Sequence, residues 1–413
     1  MGYTIMKGEK NSGQICFIML ATCISRPGTL GGNTRIFLEL TRRWAKIGCQ
    51  IVIITNELGN KTCKNYSLVN KNIHYILIRS RRYVKFGRPI LHPIEITKVI
   101  EKLNKNKIYL PSGKVVIYSA SNAWPDVIPA VWLKMKRPEY KWIGSNYLPM
   151  PNPFRGLEQA YERSFKPKLD FRVLAGFLVE RSSTALIKRY ADAVFVTNDC
   201  DKQLFLDVFP EDRIRAIYGG IDLKEVDSIP EQPKVYEGCF VGRIHPQKGI
   251  KYLIDIWDYI VEEKPEARLA IIGTGDPLFE KKIRAEVKRR NLSKNIIFYG
   301  FVDGREKYRI LKSAKVFLHT SIYDNCGMAA AEAMAAGLPV VRFDIPALKL
   351  AFPQGTIAVP LKNCRAFATQ VIKLLNEVQL YAKKKKEAIN DAKRWDWDSK
   401  AIKALKFIER MWF

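Results

Sequence analysis

The chain has 413 residues, enough for two or three domains, and its 47% hydrophobic and 11% aromatic content excludes a disordered tail. Its formal charge of +28 points to anionic partners: lipid head groups, nucleic acid or a phosphorylated substrate. The eight cysteines include no Cys-x-x-Cys pair and no zinc-like Cys/His spacing, which argues against a disulfide framework or a metal site and for reduced cytoplasmic thiols.

In chain order, ICFIMLATCI (15–24) is about half the length of a spanning helix and is followed by no small-residue cleavage site. It reads as a first buried strand. Further strands are expected at QIVIIT, NIHYILI, KVVIYSA, YKWIGS and DAVFVTN, with helices between them. In NTRIFLELTRRWAKIG (33–48), Ile36, Phe37, Leu40 and Trp44 fall on one helical face. Residues 61–114 hold 13 basic and 2 acidic side chains, among them Arg79, Arg81, Arg82, Lys85 and Arg88. An anionic surface is expected to meet that block; a solvated face without a partner is the alternative. DSIPEQPKVYEG (227–238) reads as a linker. Strands then resume at YEGCFVGRI, ARLAIIGTG, NIIFYGFV, AKVFLHTS and LPVVRFD. The last helix follows Trp395-Asp396-Trp397, with Asp398 as its expected cap. Strand-helix alternation in two tandem halves predicts an α/β chain of doubly wound parallel sheets.

Four motifs carry chemistry. FVGRIHPQKGI (240–250) puts Arg243 and Lys248 after a strand, where two cations suit a phosphate, although a loop with two solvated charges reads the same way. LAIIGTGD (269–276) ends in Gly-x-Gly, a weak signal that a tight turn explains equally well. In SRPGTLGGNT (25–34), Gly31 and Gly32 precede a helix whose first amides could face an anion. SIYDNCGMAAAEAMAAGLPVV (321–341) is the most informative. Asp324 falls in the loop after a strand, and a helix beginning at Gly327 leaves amides at Cys326, Gly327 and Met328 unpaired. Glu332 lies about one turn further in, where it can bond vicinal hydroxyls such as those of a ribose. The alanines let the helix approach the sheet, Gly337 ends it and Pro339 opens the next strand.

These elements occur in an order that resembles the GT-B-fold retaining glycosyltransferases of family 4. The likeness rests on VGRIHPQKGIKYLI, ARLAIIGTGD, NIIFYGFVDGREKYRILKSAKVFLHTS and DNCGMAAAEAMAAGLPVV, with WDWDSKAIKAL at the end and GGNTRIFLELTRRWAKIGCQIVIIT and RYADAVFVTN–IRAIYGGID upstream. It implies an acceptor domain over 1–215, a nucleotide-sugar donor domain over 216–394, and a helix over 395–413 crossing back to the first domain. By the same resemblance Arg243 and Lys248 hold the donor diphosphate, Glu332 binds the ribose, and Asp324 stands at the first acid of the family's Glu, seven residues, Glu motif. Arg243, Lys248 and Asp324 are then the catalytic set. Gly242, Gly273, Gly300, Phe301, Asn325 and the Cys326–Met328 amide segment (Cys326, Gly327, Met328) complete the donor site. Gly31, Gly32, Asn33, Ser145 and Asn146 are expected on the acceptor or phosphate side. The family transfers a sugar from a nucleotide-diphosphate sugar with retention, without a metal or other cofactor.

The sequence departs from the family at three places. Asp324 replaces the usual Glu. The acceptor-domain histidine is missing from KWIGSNYLPMP, where Ser145 or Asn146 stands near its place; of the four histidines, His74, His92, His245 and His319, the last is expected as a core or edge residue of its strand. Gly219 stands where the family often has Asn. Two Asp-x-Asp look-alikes, Asp199-Cys-Asp201 and Asp396-Trp-Asp398, read as helix caps. The expected enzyme is a cytoplasmic, peripheral membrane glycosyltransferase, monomeric or homodimeric. Its acceptor would be a lipid-linked (polyprenyl or dolichyl phosphate type) molecule or a glycan, and no nucleic acid is expected. The stretch 149–190 mixes aromatic and basic residues, fitting either a membrane interface or an ordinary buried helix. The alternatives are a soluble glycogen-synthase-like transferase, a GT-B epimerase, or a basic nucleic-acid-binding protein.

Overall fold

The structure is a computed structural model that describes residues 15–24, 30–78, 88–105, 113–156, 159–161 and 171–412. Arg79, Arg81, Arg82 and Lys85 of the basic block, the Arg88 side chain, and residues 25–29 and 162–170 of the stretches singled out above lie outside that description.

Runs of β-branched and aromatic residues become strands because each sheet is covered on both faces and needs no polar alternation. The first half forms β1 (Cys16–Leu20), β2 (Gln50–Asn56), β3 (Ile73–Ile78), β4 (Val115–Ser119), β5 (Lys141–Asn146), β6 (Ala193–Val196) and β7 (Ile214–Ala216). β1 and β4 are buried at every position. These strands pair in parallel in the order β3-β2-β1-β4-β5-β6-β7. The second half forms β8 (Tyr236–Val241), β9 (Leu269–Ile272), β10 (Ile296–Gly300), β11 (Ala314–His319), β12 (Val340–Phe343) and β13 (Thr356–Val359), parallel in the order β10-β9-β8-β11-β12-β13. Each sheet has a hydrophobic core on either face, one containing Trp44 and the other Trp142 in the first half, and Phe317 and Trp257 in the second. The expected α/β class with two doubly wound parallel sheets is what the chain forms.

β7 and β13 carry no expectation from the sequence. They are short edge strands, IRA and TIAV, paired on one side only, and too brief to show a period. Ala216 belongs to β7, so a domain boundary after residue 215 cuts the last strand of the first sheet.

The helix Trp397–Glu409 packs Trp397, Ala401, Ala404 and Ile408 into the first domain's core, where the Trp44 indole N–H donates to the Ala401 carbonyl at 3.0 Å. Its cap is Asp396, which accepts from the Ser399 amide at 2.8 Å; the expected cap Asp398 instead pairs with Arg43 and Lys224. The two crossings between domains are tied together: Ile221 N–H donates to the Trp395 carbonyl at 2.7 Å and Trp397 N–H to the Ile221 carbonyl at 3.1 Å. Among the described residues no helix is long and apolar enough to cross a membrane, and no disulfide joins any of the eight cysteines.

In each sheet the strand order reverses once, between β1 and β4 and between β8 and β11. The crevice outside the carboxyl ends of such strands is where doubly wound sheets take ligands.

Candidate active site

Two loops meet at the β8/β11 crevice. After β8 the chain presents Gly242 and Arg243, makes a short turn over Pro246–Lys248, and enters the helix Ile250–Glu263 through Gly249. After β11 it runs from Thr320 to Gly327 and enters the helix Met328–Ala335. Ile322 N–H donates to the Gln247 carbonyl at 3.0 Å, Gln247 Nε2 to the Tyr323 carbonyl at 3.0 Å, and Thr320 Oγ1 to the Lys248 carbonyl at 3.0 Å. Gly249 permits this lacing: its φ is +66°, and a Cβ there would stand 1.9 Å from the Thr320 carbonyl oxygen. The loops therefore fix where Lys248 and Asp324 meet.

Asp324 is buried and fully engaged. Its Oδ2 accepts from Lys248 Nζ at 2.5 Å, and its Oδ1 accepts from the amides of Cys326 and Gly327 at 3.2 Å each. Burial alone would raise its carboxyl, but the Lys248 ammonium and then His319 outweigh it and hold the group well below 3.8. This corrects the expectation of unpaired amides at Cys326 and Gly327: Asp324 occupies those two itself. The helix begins at Met328, with Gly327 at φ +66° before it.

His319 sits at the end of β11 with Nε2 3.4 Å from Asp324 Oδ2. It is buried, as expected of a core residue, but it stands against the site. Burial lowers its pKa from 6.5 and keeps the imidazole neutral, with Asp324 opposing that shift. Arg243 is exposed, and among the described residues its guanidinium bonds only Gln247 Oε1, at 3.2 Å.

The alanine-rich helix Met328–Ala335 buries Ala330, Ala331 and Ala333 completely, so its axis lies close to the sheet. Glu332 is half-buried on it and accepts from Lys307 Nζ at 2.8 Å. Gly273 and Gly275 serve a close passage: a Cβ at either would stand about 2 Å from the carbonyl oxygens of Gly242 and Ile244 respectively, at 1.9 and 2.0 Å. That favours the tight-turn reading of the Gly-x-Gly motif. Gly300 and the exposed Phe301 lie at the end of β10, on the same carboxyl edge.

The first domain closes on this edge. Gly31 precedes, and Gly32 and Asn33 open, the helix Gly32–Lys46, and a Cβ on Gly32 would stand 3.2 Å from Met328 Cε. Gly219, at φ +66°, has Met328 Sδ 2.4 Å from where a Cβ would be, which accounts for glycine in place of Asn. The Asp324 loop is itself bound across the interface. Tyr323 Oη donates to the Pro149 carbonyl, Asn198 Nδ2 to the Asn325 carbonyl at 2.8 Å, Asn325 Nδ2 to Asp201 Oδ2 at 3.0 Å, and Cys326 Sγ to the Tyr218 carbonyl at 2.7 Å.

Three expectations fail here. Ser145 and Asn146 do not line the crevice; both are fully buried in β5, Ser145 Oγ donating to the Ser119 carbonyl at 2.5 Å and Asn146 Nδ2 to Glu180 Oε1 at 2.8 Å. Asp199 makes no side-chain cap and accepts from Tyr218 Oη at 2.7 Å. Asp201 holds Asn325 rather than a helix end, and burial pushes its carboxyl up to about 7.

Sequence reasoning missed Arg35, Asp303 and Lys307. Lys307 is buried and donates to Asp303 Oδ1 at 2.9 Å as well as to Glu332. Arg35 crosses from the first domain to both Asp303 oxygens, at 2.8 and 2.6 Å. The Asp303-to-Lys307 spacing of four was visible, but such pairs usually lie on a solvated face. Nothing in the sequence announces a partner as remote as Arg35.

The crevice thus assembles a guanidinium, an ammonium, a helix amino end and two carboxylates. Such a set can stabilise charge on phosphate oxygens and bond a vicinal diol.

Residues 223–395 match the family described as glycosyl transferases group 1. The chain is 37% identical over 145 residues to an uncharacterised glycosyltransferase of Methanocaldococcus jannaschii, covering 32% of this chain and 36% of that one. It is 28% identical over 201 residues to the phosphatidyl-myo-inositol mannosyltransferase of Mycobacterium leprae, covering 47% and 52%. It therefore spans about a third to a half of the length of these curated relatives. Among solved structures, sucrose-phosphate synthase of Thermosynechococcus elongatus superposes with a TM-score of 0.74 over 97% of this chain and 99% of that one, at 18% identity. Residues 223–395 thus carry a group 1 glycosyltransferase domain, and the fold of the chain is GT-B.

Proposed function

We propose that this protein is a retaining glycosyltransferase that takes a sugar from a nucleotide-diphosphate donor bound at the β8/β11 crevice. The observation that carries the reading is the convergence of Arg243, Lys248, the amino end of the helix Met328–Ala335 and Glu332 on one carboxyl edge. As the bond between the anomeric carbon and the diphosphate oxygen breaks, its electron pair passes to the leaving diphosphate. Arg243, Lys248 and the helix dipole are already in place for that charge, so they stabilise the transition state more than the ground state. Glu332 bonds the ribose hydroxyls. The acceptor oxygen attacks the face that the diphosphate leaves and gives its proton to the departing diphosphate oxygen, so the configuration is retained. The cations fill the role of a divalent metal, so none is required.

Asp324 orients the donor sugar. One methylene shorter than Glu, its side chain holds Lys248 and two amides, and so fixes the ammonium that meets the diphosphate. The acceptor reading is a lipid-linked phosphate or diphosphate at an anionic membrane surface. It is supported by the basic first half and by the acceptor named for the Mycobacterium leprae relative.

The test is transfer from a panel of radiolabelled nucleotide sugars to a polyprenyl-phosphate-linked acceptor and, separately, to soluble glycans, with and without EDTA. Transfer to the lipid, unaffected by EDTA and giving the donor's anomeric configuration, is expected. Inversion, loss of activity in EDTA, or transfer to glycans alone would each overturn the corresponding part of the proposal.

A further inference from the structure

Glu332 is not a free carboxylate. Its Oε1 accepts from Lys307 Nζ at 2.8 Å; the same ammonium donates to Asp303 Oδ1 at 2.9 Å; and Asp303 takes Arg35 of the first domain on both oxygens, at 2.6 and 2.8 Å. The four groups form one alternating string of charges that begins in one domain and ends at the residue read as the ribose acid. All of them are shielded from solvent, with side-chain exposures of 21% for Arg35, 15% for Asp303, 5% for Lys307 and 13% for Glu332. Tyr66 of the first domain flanks the same link: the Arg35 guanidinium lies 5.7 Å from its ring centroid, and its phenol is pushed up to about 12 by burial and then by Asp303.

This arrangement differs from an ordinary interdomain ion pair in where it ends. Lys307 is shared between two carboxylates, so its position between them depends on what else neutralises Asp303. With Arg35 in place, Asp303 has a second cation, and Lys307 can serve Glu332. Without Arg35, Asp303 competes for Lys307 and draws it along its own helix, away from Glu332. Charges in such a shielded setting act on one another more strongly than exposed pairs do.

We infer that Arg35 is a positioning residue for donor binding: through Asp303 and Lys307 it sets the Glu332 carboxylate, and so links closure of the acceptor domain to the grip on the nucleotide ribose. The inference rests on the donor-site reading proposed above. It predicts that a residue of the acceptor domain, without touching the nucleotide, controls its affinity.

The experiment is calorimetric titration of the full chain with UDP, GDP, ADP and dTDP, for wild type, Arg35→Ala, Arg35→Lys, Glu332→Ala and the Arg35→Ala/Glu332→Ala double variant, each checked for an unchanged melting transition. Arg35→Ala is expected to weaken the nucleotide that wild type binds by about fivefold or more, the scale of a typical coupling between sites. Arg35→Lys should recover part of that loss, and the double variant should bind no worse than Glu332→Ala alone. If Glu332→Ala weakens binding while Arg35→Ala does not, or if the two losses multiply in the double variant, the inference fails and the donor site stands. If wild type binds none of the nucleotides, or Glu332→Ala leaves affinity intact, the donor-site reading fails and takes the inference with it. Should Arg35→Ala melt early, Arg35→Gln, which keeps most of the bulk and removes the charge, provides the same comparison.

Discussion

Replacing Asp324 by Ala removes a buried carboxylate on which three donors converge. The carboxylate accepts from Lys248 Nζ at 2.5 Å and from the Cys326 and Gly327 amides at 3.2 Å, and its side chain is 11% exposed. Breaking a buried pair by deleting one partner costs about 3–5 kcal/mol, because the remaining charge loses its compensation. Lys248 retains 22% side-chain exposure and recovers some hydration, which places the loss near the lower bound, at roughly 3 kcal/mol. Two backbone amides also lose an acceptor, but water reaches a helix end opened in this way, so little is added. Urea unfolding followed by tryptophan fluorescence would read the change as a lower midpoint, and calorimetry as a melting temperature lower by about 6–12 °C for a domain of this size. The sign with pH follows from the depressed carboxyl. The stabilisation by Asp324 is fully present above 3.8 and is lost as pH falls through its lower folded value, so the difference between wild type and variant should be flat from pH 5 to 8. A variant within 0.5 kcal/mol of wild type, or a difference that varies across that range, would refute the reasoning.

Other consequences can be checked alongside. Gly249→Ala places a methyl 1.9 Å from the Thr320 carbonyl oxygen at φ +66°; the left-handed strain and the overlap together should destabilise by roughly 2–5 kcal/mol in urea unfolding. Asp126 is buried, accepts from Thr22 N–H at 2.8 Å and from Ser121 Oγ at 2.6 Å, and burial pushes its carboxyl up to about 6. Because that folded value lies above the unfolded one, ionisation costs stability as pH rises from about 4 through 6, so Asp126→Asn should gain on wild type over that window in pH-dependent melting. The basic first half should bring the protein up with anionic vesicles in flotation at low salt and release it at high salt. A protein left in the bottom fraction at low salt would remove the membrane reading.

The fold was largely legible because its buried strands are long apolar runs. CFIML, VVIYS and LAII need no context to be read, whereas IRA and TIAV become strands only because an edge is available to them. The candidate site was legible as a place in the fold for a related reason: Arg243, Lys248 and Asp324 lie just beyond such strands, and Glu332 on the helix that follows. What could not be read is who bonds whom. Asp324 satisfies two of the three amides that looked free, Ser145 and Asn146 turn into the first domain, and His319 Nε2 stands 3.4 Å from Asp324. Those outcomes depend on tertiary contact between loops and domains, as does the pairing of Arg35 with Asp303.

The central claim is that the β8/β11 crevice binds the nucleotide sugar and stabilises its leaving diphosphate. Single-turnover transfer by Arg243→Ala and Glu332→Ala with the donor that wild type uses tests it most directly. Arg243→Ala should lower the rate by about 10²–10³, as loss of one donor to a developing charge does elsewhere, while Glu332→Ala should act mainly through donor affinity. Full turnover by both variants would contradict the account.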